Sequence, residues 1–420
     1  MLRKIIADRK IEYSSYTLVY AAAVLAAKAH LDYVTAVLLM AEAMFLFIWN
    51  FRKTKNLVDM RGLFTLTWLT FFLIYVCFNL GYDLWLGRFS KEQRQEVKRD
   101  EISAKRILIC IFGLMAASIA CFTLEAVVVG YIPLFNSAPH AYSYFHISGV
   151  HYFTISCILI PALTVLYTKV TEKISVRTWI ILIAGNLTAV AIPILCVSRF
   201  QLLFAVGFAA VMYLMLYKKI TWKMIVTGLL IMIPVYVLLT VARRHNVTYL
   251  NGIFEMKNSK MPIFITQPYI YVANNFENFN CMVEQLTAHT WGLQMLFPFF
   301  ALTGLKFVFP QLVTIPDFVT KTELTTLTMF YDAYYDFGII GTALFAFIIG
   351  LTAAAVSIPV RQKKNPMTYM FYGQIAIYLG LAFFTTWFSN PTTWFWLALT
   401  LMMYWFVGYR RKGKGLHGRK

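Results

Sequence analysis

The chain runs again and again for about 20 residues with almost no charge, the length that one helical crossing of a bilayer needs. RILICIFGLMAASIACFTLEAVVV (106–129), RTWIILIAGNLTAVAIPILC (177–196) and TALFAFIIGLTAAAVSI (342–358) are three such runs. In lipid the backbone must satisfy its own hydrogen bonds, so long apolar runs mean helices. With 60% of the residues hydrophobic and only 14% charged, too little polar surface exists to coat a soluble protein of 420 residues. The expected fold is all-α: a polytopic integral membrane protein forming one transmembrane domain over 1–420.

Apolar runs bounded by polar residues predict spans near 12–28, 31–50, 62–83, 107–130, 149–168, 178–197, 200–217, 223–242, 333–357, 367–388 and 393–409, about 11 helices with a range of 10 to 12. No short apolar segment followed by a small-residue cleavage site opens the chain, so the first span is expected to act as its own insertion signal. The formal net charge of +19 is spread over short inter-span clusters and not over one soluble face, which points to membrane orientation and away from nucleic acid. Seven basic residues lie between Arg88 and Arg106, with further groups at Lys218, Lys219 and Lys223, at Arg361, Lys363 and Lys364, and six residues in the tail from Arg410. The charge bias places all four in the cytoplasm, and the carboxyl terminus with them. The first sixty residues fit less well: Arg52, Lys53, Lys55 and Arg61 fall outside, and fusing the first two runs into one pass would leave ten spans.

The segments left facing outward are 131–148, Ser198 with Arg199, 243–330 and 389–392. The third, an extracytoplasmic loop over 245–330, is too long for a passive connector. Two partly apolar pieces within it, PYIYVANNFENFNCMVEQL and WGLQMLFPFFALTGLKFVFP, are expected to form short interfacial or re-entrant helices. Five of six cysteines lie inside apolar runs and no CxxC pair occurs, so neither a disulfide framework nor a metal knuckle is expected.

Three arginines meet the outer rim: Arg199 at the start of one span, and Arg243 with Arg244 at the end of the next. A single arginine there can simply reach for headgroups. Three on the side where positive charge is disfavoured point to an anionic ligand, because a guanidinium fork matches phosphate oxygens two at a time and keeps its charge. Asp332 and Asp336 stand four residues apart on one helix face, as a catalytic pair or as caps of the span that follows. Gly338 and Gly341 nearby suit close helix packing. Glu125 lies near the outer end of its span, where it needs a partner; an outward arginine is the expected one. His140, His146, His151, His245 and His289 all fall near the outer side, but no HxxxH, HExxH or DxD spacing occurs, so no metal site is expected. No P-loop or GxGxxG is present and no cofactor is expected: the substrate must arrive already activated. Aromatic residues, 17% of the chain, crowd the large loop and its exit with several asparagines, a composition shared by interfacial belts and sugar-binding grooves.

FNLGYDLWLG before a basic loop, GYIPLF after an outward-going helix, the SR at 198–199, ARR at 242–244, YIYVANNFENF and YYDFGIIG follow one another in an order that resembles the oligosaccharide repeat-unit polymerases, the Wzy-type O-antigen and capsule polymerases. The resemblance covers most of the chain from about residue 62. It implies a metal-independent glycosyltransferase in the bacterial cytoplasmic membrane with its site on the outer face. Such an enzyme moves a growing glycan from undecaprenyl pyrophosphate to the terminal sugar of an incoming lipid-linked repeat unit. It also implies partners beyond the bilayer and these lipid-linked oligosaccharides, namely a chain-length regulator and a flippase. On this reading Arg199, Arg243 and Arg244 hold the pyrophosphate. Asp336, Asp332, Glu125 or His245 takes the acceptor proton, and Asn275, Tyr271, Tyr331 and Tyr335 line the glycan. The ligase branch is less similar, because no His-x-x-x-Asn stands at YDAYYDFG. A lipid-linked oligosaccharide flippase is the alternative from another class, although no internal repeat supports it.

Overall fold

The structure, a computed structural model, describes residues 65–89, 100–136, 141–217, 247–362 apart from 255 and 257–259, 365–408, and scattered positions between 221 and 237. Every regular element among them is helical. In chain order these are α1 (Thr65–Phe89), α2 (Glu101–Val129), α3 (Val150–Val170), α4 (Val176–Leu195), α5 (Arg199–Tyr217), α6 (Val247–Ile253), α7 (Ile263–Gln285), α8 (Leu293–Leu302), α9 (Leu305–Val308), α10 (Tyr331–Gln362), α11 (Thr368–Gly380) and α12 (Pro391–Gly408).

Local chemistry sets the helix ends. Asp100 precedes α2 and accepts the Ile102 N–H at 3.2 Å and the Ser103 hydroxyl at 2.8 Å, so the helix begins several residues before the apolar run does. Gly130, at φ 81°, closes it in the left-handed conformation that suits glycine. Ser175 caps α4 by accepting the Thr178 N–H at 3.2 Å.

Among the described residues, five helices are long and apolar enough to cross a membrane: α2, α3, α4, α5 and the Tyr331–Ser357 part of α10. The expected spans at 12–28 and 31–50 lie outside the described residues, and that at 223–242 is described only at scattered positions. One expected span is corrected. The 367–388 run is not a single crossing, because α11 stops at Gly380 after 13 residues, about 20 Å of helix against the roughly 30 Å of a hydrocarbon core. Residues 381–390 turn back instead, and their carbonyls find partners elsewhere: Leu381 accepts the Trp387 indole N–H at 3.1 Å, Ala382 the Met329 N–H at 2.7 Å, and Phe383 the Asn275 amide at 2.7 Å. Pro391 then opens α12, at a position where its missing N–H costs nothing.

The helix ends that border the basic clusters meet at one end of the bundle. Arg106, in the first turns of α2, donates to the Phe406 and Val407 carbonyls at the end of α12, both at 3.2 Å. The Asp100 N–H reaches Val170 at the end of α3, and Lys169 lies 4.9 Å over the ring of Tyr217 at the end of α5. Asn365, before α11, donates to the Tyr404 carbonyl at 2.9 Å. The turn between α4 and α5, residues 131–136 and residues 141–149 lie at the opposite end.

Helices α1 and α10 run side by side in the same direction. Phe71 near the start of α1 meets Phe279 of α7 at 5.0 Å, and Phe279 meets Tyr334 near the start of α10 at 5.4 Å. Further along, Gly81 and Gly350 let the two backbones touch: a Cβ on Gly350 would lie 2.1 Å from the Phe78 carbonyl oxygen. Both partly apolar pieces of 245–330 are helical, the first within a helix of 23 residues. PYIYVANNFENFNCMVEQL falls largely in α7, and WGLQMLFPFFALTGLKFVFP forms α8 and α9.

Candidate functional site

At the end away from the basic helix termini, α4 and α5 join in a turn with no loop. The Pro193 carbonyl accepts the Ser198 N–H at 2.8 Å, Val197 takes a left-handed φ of 53°, and Arg199 begins α5. Arg199 is not a rim residue reaching for headgroups. It is buried, with Nη1 donating to Gln267 Oε1 at 2.6 Å and its guanidinium carbon 5.4 Å from the centre of the Tyr236 ring. Gln267 is held in turn, donating to the Tyr271 hydroxyl at 3.1 Å, and Tyr271 meets Phe384 of the 381–390 turn edge to face. The Gln267 amide of α7 and the Tyr236 ring face thus orient the fork. Arg243, Arg244 and His245 lie outside the described residues.

Glu125 is fully buried in the last turns of α2. The arginine partner expected for it is replaced by a histidine. Nδ1 of His151 lies 3.1 and 3.2 Å from the two carboxylate oxygens, the Ile147 N–H donates at 3.0 Å, and the Thr154 hydroxyl at 2.8 Å. The local sequence builds this pocket. After Gly130 ends α2, Phe145 packs on Phe122 and Tyr131, and the chain turns back. Gly149, at φ 87°, then starts α3 so that His151 and Thr154, three residues apart on one helix face, meet the carboxylate. The His151 side chain stays 28% exposed, and the exposed His146 ring stands 6.4 Å from it.

Asp332 and Asp336 share a helical turn but serve different neighbours. Asp332, buried, lies near the Ser389 and Thr386 side chains of the segment before α12. Asp336, with no exposure, caps α8: its oxygens accept the Thr290 hydroxyl, the Gln294 N–H at 3.1 Å and the Met295 N–H at 2.8 Å. The helix breaks just beyond. Gly338, expected to serve packing, adopts φ 63° and ψ −158°, and the carbonyls this frees are taken by 289–291. The exposed His289 bonds the Tyr335 carbonyl through Nδ1 at 3.1 Å, and the Trp291 N–H bonds that of Asp336 at 3.2 Å. The break in α10 and the start of α8 therefore cap each other. Asp336→Ala is expected to lower the stability of the solubilised protein by about 1–2 kcal/mol, the loss of a well-made cap, whereas Asp336→Asn, which can still accept a backbone N–H, loses less. Thermal unfolding followed by size-exclusion chromatography measures both, and equal losses would contradict the cap.

Most of the polar residues expected to line a glycan hold the loop together. Asn275 donates to the Tyr271 and Phe383 carbonyls and accepts from Thr326, while Asn274 and Asn278 both reach the Leu324 carbonyl and both accept from Thr320. The Tyr331 hydroxyl accepts the Phe318 N–H at 2.8 Å, and that of Tyr335 donates to the Pro316 carbonyl at 3.0 Å. These contacts pin residues 316–326 over α7 and the first turn of α10. Tyr271, half-buried beside Gln267, is the one of the four that stands in the Arg199 cluster.

Two elements of the site escaped the sequence. Gln267 carries no signal that would pair it with an arginine 68 positions away. His151 was one outer histidine among five until Gly149 and the i, i+3 spacing with Thr154 acquired a partner in Glu125. Among the described residues no group of three or more His, Cys, Asp or Glu side chains is placed to hold a metal ion. No family model matches the chain, and neither the curated proteins nor the solved structures include a match to it.

Proposed function

We propose that the chain is a polymerase of lipid-linked oligosaccharide repeat units in the bacterial cytoplasmic membrane, working at the outer face. The observation that carries this reading is Arg199: a buried guanidinium at the end of the bundle opposite the basic helix termini, oriented by Gln267 and Tyr236. Under the positive-inside rule the basic end is cytoplasmic and the Arg199 end faces out. A lipid-borne pyrophosphate presents its charge at that depth. Arg199, Arg243 and Arg244 are assigned to bind the donor pyrophosphate and to stabilise the charge that develops as it leaves. Tyr271, beside Gln267 in the same cluster, is assigned to the sugar side. The order of motifs resembling the repeat-unit polymerases supports the same substrate class, undecaprenyl-pyrophosphate-linked oligosaccharide. A flippase and a chain-length regulator are its expected partners.

Deletion of the gene tests this against transport. A polymerase deletion leaves surface glycan as single repeat units and lipid-linked units on the outer leaflet. Accumulation of lipid-linked units on the cytoplasmic leaflet would instead identify a flippase and end the polymerase reading.

A further inference from the structure

We propose that His151 is the group that removes the proton from the attacking hydroxyl of the acceptor sugar, with Glu125 as its positioning residue; this rests on the polymerase reading above. A carboxylate can only accept, so the contact from both Glu125 oxygens fixes the proton on Nδ1 of His151 and leaves the lone pair on Nε2. The carboxylate itself is poorly suited to be the base. It is fully buried and receives the Ile147 N–H and the Thr154 hydroxyl besides the imidazole, so it is held on three sides and out of reach of a substrate. The ring, in contrast, keeps 28% of its side-chain surface open. The titratable groups around the pair come from each packed element: Cys121 on α2, Cys196 at the end of α4, and His146 on the returning segment. Neither cysteine can carry a positive charge that would neutralise Glu125 in place of His151.

In the step, the acceptor hydroxyl oxygen forms a bond to the anomeric carbon of the donor glycan while His151 Nε2 takes its proton. The bond from that carbon to the pyrophosphate oxygen breaks, and the electron pair leaves with the pyrophosphate, which gains one negative charge. The imidazolium then returns its proton to water or to the departing lipid pyrophosphate. One glycosidic bond replaces one glycosyl phosphate bond, and no other reactant is consumed.

The test uses the purified full-length protein in lipid nanodiscs with lipid-pyrophosphate-linked repeat units extracted from the deletion strain. Wild-type protein is measured first; no chain extension by wild type would defeat the polymerase reading itself. Given extension, His151→Gly and His151→Gln are each expected to lower kcat by about 100- to 10,000-fold per folded molecule with little change in KM. Added imidazole is expected to restore His151→Gly and not His151→Gln, whose side chain fills the space. Glu125→Gln is expected to lose about tenfold or more in kcat, with no rescue by imidazole. A near-wild-type rate in either His151 variant, or loss in both without imidazole rescue of His151→Gly, overturns the assignment and leaves the polymerase reading standing.

Discussion

Replacing Gly350 with alanine is expected to force α1 and α10 apart and to lower the thermal unfolding midpoint of the solubilised protein by roughly 2–10 °C. A Cβ there would lie 2.1 Å from the Phe78 carbonyl oxygen and 3.0 Å from the Tyr82 nitrogen. The seam is reciprocal, since a Cβ on Gly81 would lie 2.2 Å from the Phe347 carbonyl oxygen. The obstructing atoms are backbone, so no rotamer change relieves the clash. In lipid, helices gain little from burying apolar surface and depend on close backbone approach, which makes such a glycine pair costly to fill. Gly113→Ala in α2 is the control: nothing lies within 4 Å of a Cβ there, and no loss is expected. Heat treatment followed by fluorescence-detected size exclusion reads both variants, and equal midpoints for Gly350→Ala and wild type would contradict the seam.

Apolar run length made the long helices legible, because a membrane span is set by composition over about 20 residues and needs little tertiary information. The apolar runs near 107–130, 149–168, 178–197 and 200–217 correspond to α2, α3, α4 and α5. The same signal misread 367–388, since hydropathy cannot register that the carbonyls of 381–383 are captured by Trp387, Met329 and Asn275. The asparagines of α7 show the matching limit on the polar side. An Asn among aromatics suits a sugar groove in sequence, yet Asn274, Asn275 and Asn278 bind backbone carbonyls more than 40 positions away. Arg199 starts its helix as the apolar run suggested, but its burial depends on Gln267 arriving from another element. Glu125 needed a partner in either reading; that the partner is His151 follows from the turn at Gly149, which no period in the sequence announces.

Arg199→Ala is expected to cut glycan polymerisation by about 100- to 1,000-fold, the effect of removing one preorganised group from a developing anion. Arg199→Lys is expected to recover little. An ammonium is a point charge with no flat fork, and it cannot keep the 2.6 Å bond to Gln267 while presenting two parallel donors to a phosphate. Both variants are compared with wild type in the deletion strain, by surface glycan length at matched membrane protein levels. Long chains from Arg199→Ala would remove this arginine from the pyrophosphate site. Long chains from Arg199→Lys with none from Arg199→Ala would show that charge alone suffices there.

The most direct measurement is the product made by the purified full-length protein in sealed vesicles, given only lipid-pyrophosphate-linked repeat units and no nucleotide sugar or metal. Mass spectrometry of the extracted lipids is predicted to show a ladder of products differing by whole repeat units, with one free lipid pyrophosphate released per unit added. Repeat units that stay single, whether they remain in place or move to the other leaflet, would contradict the account.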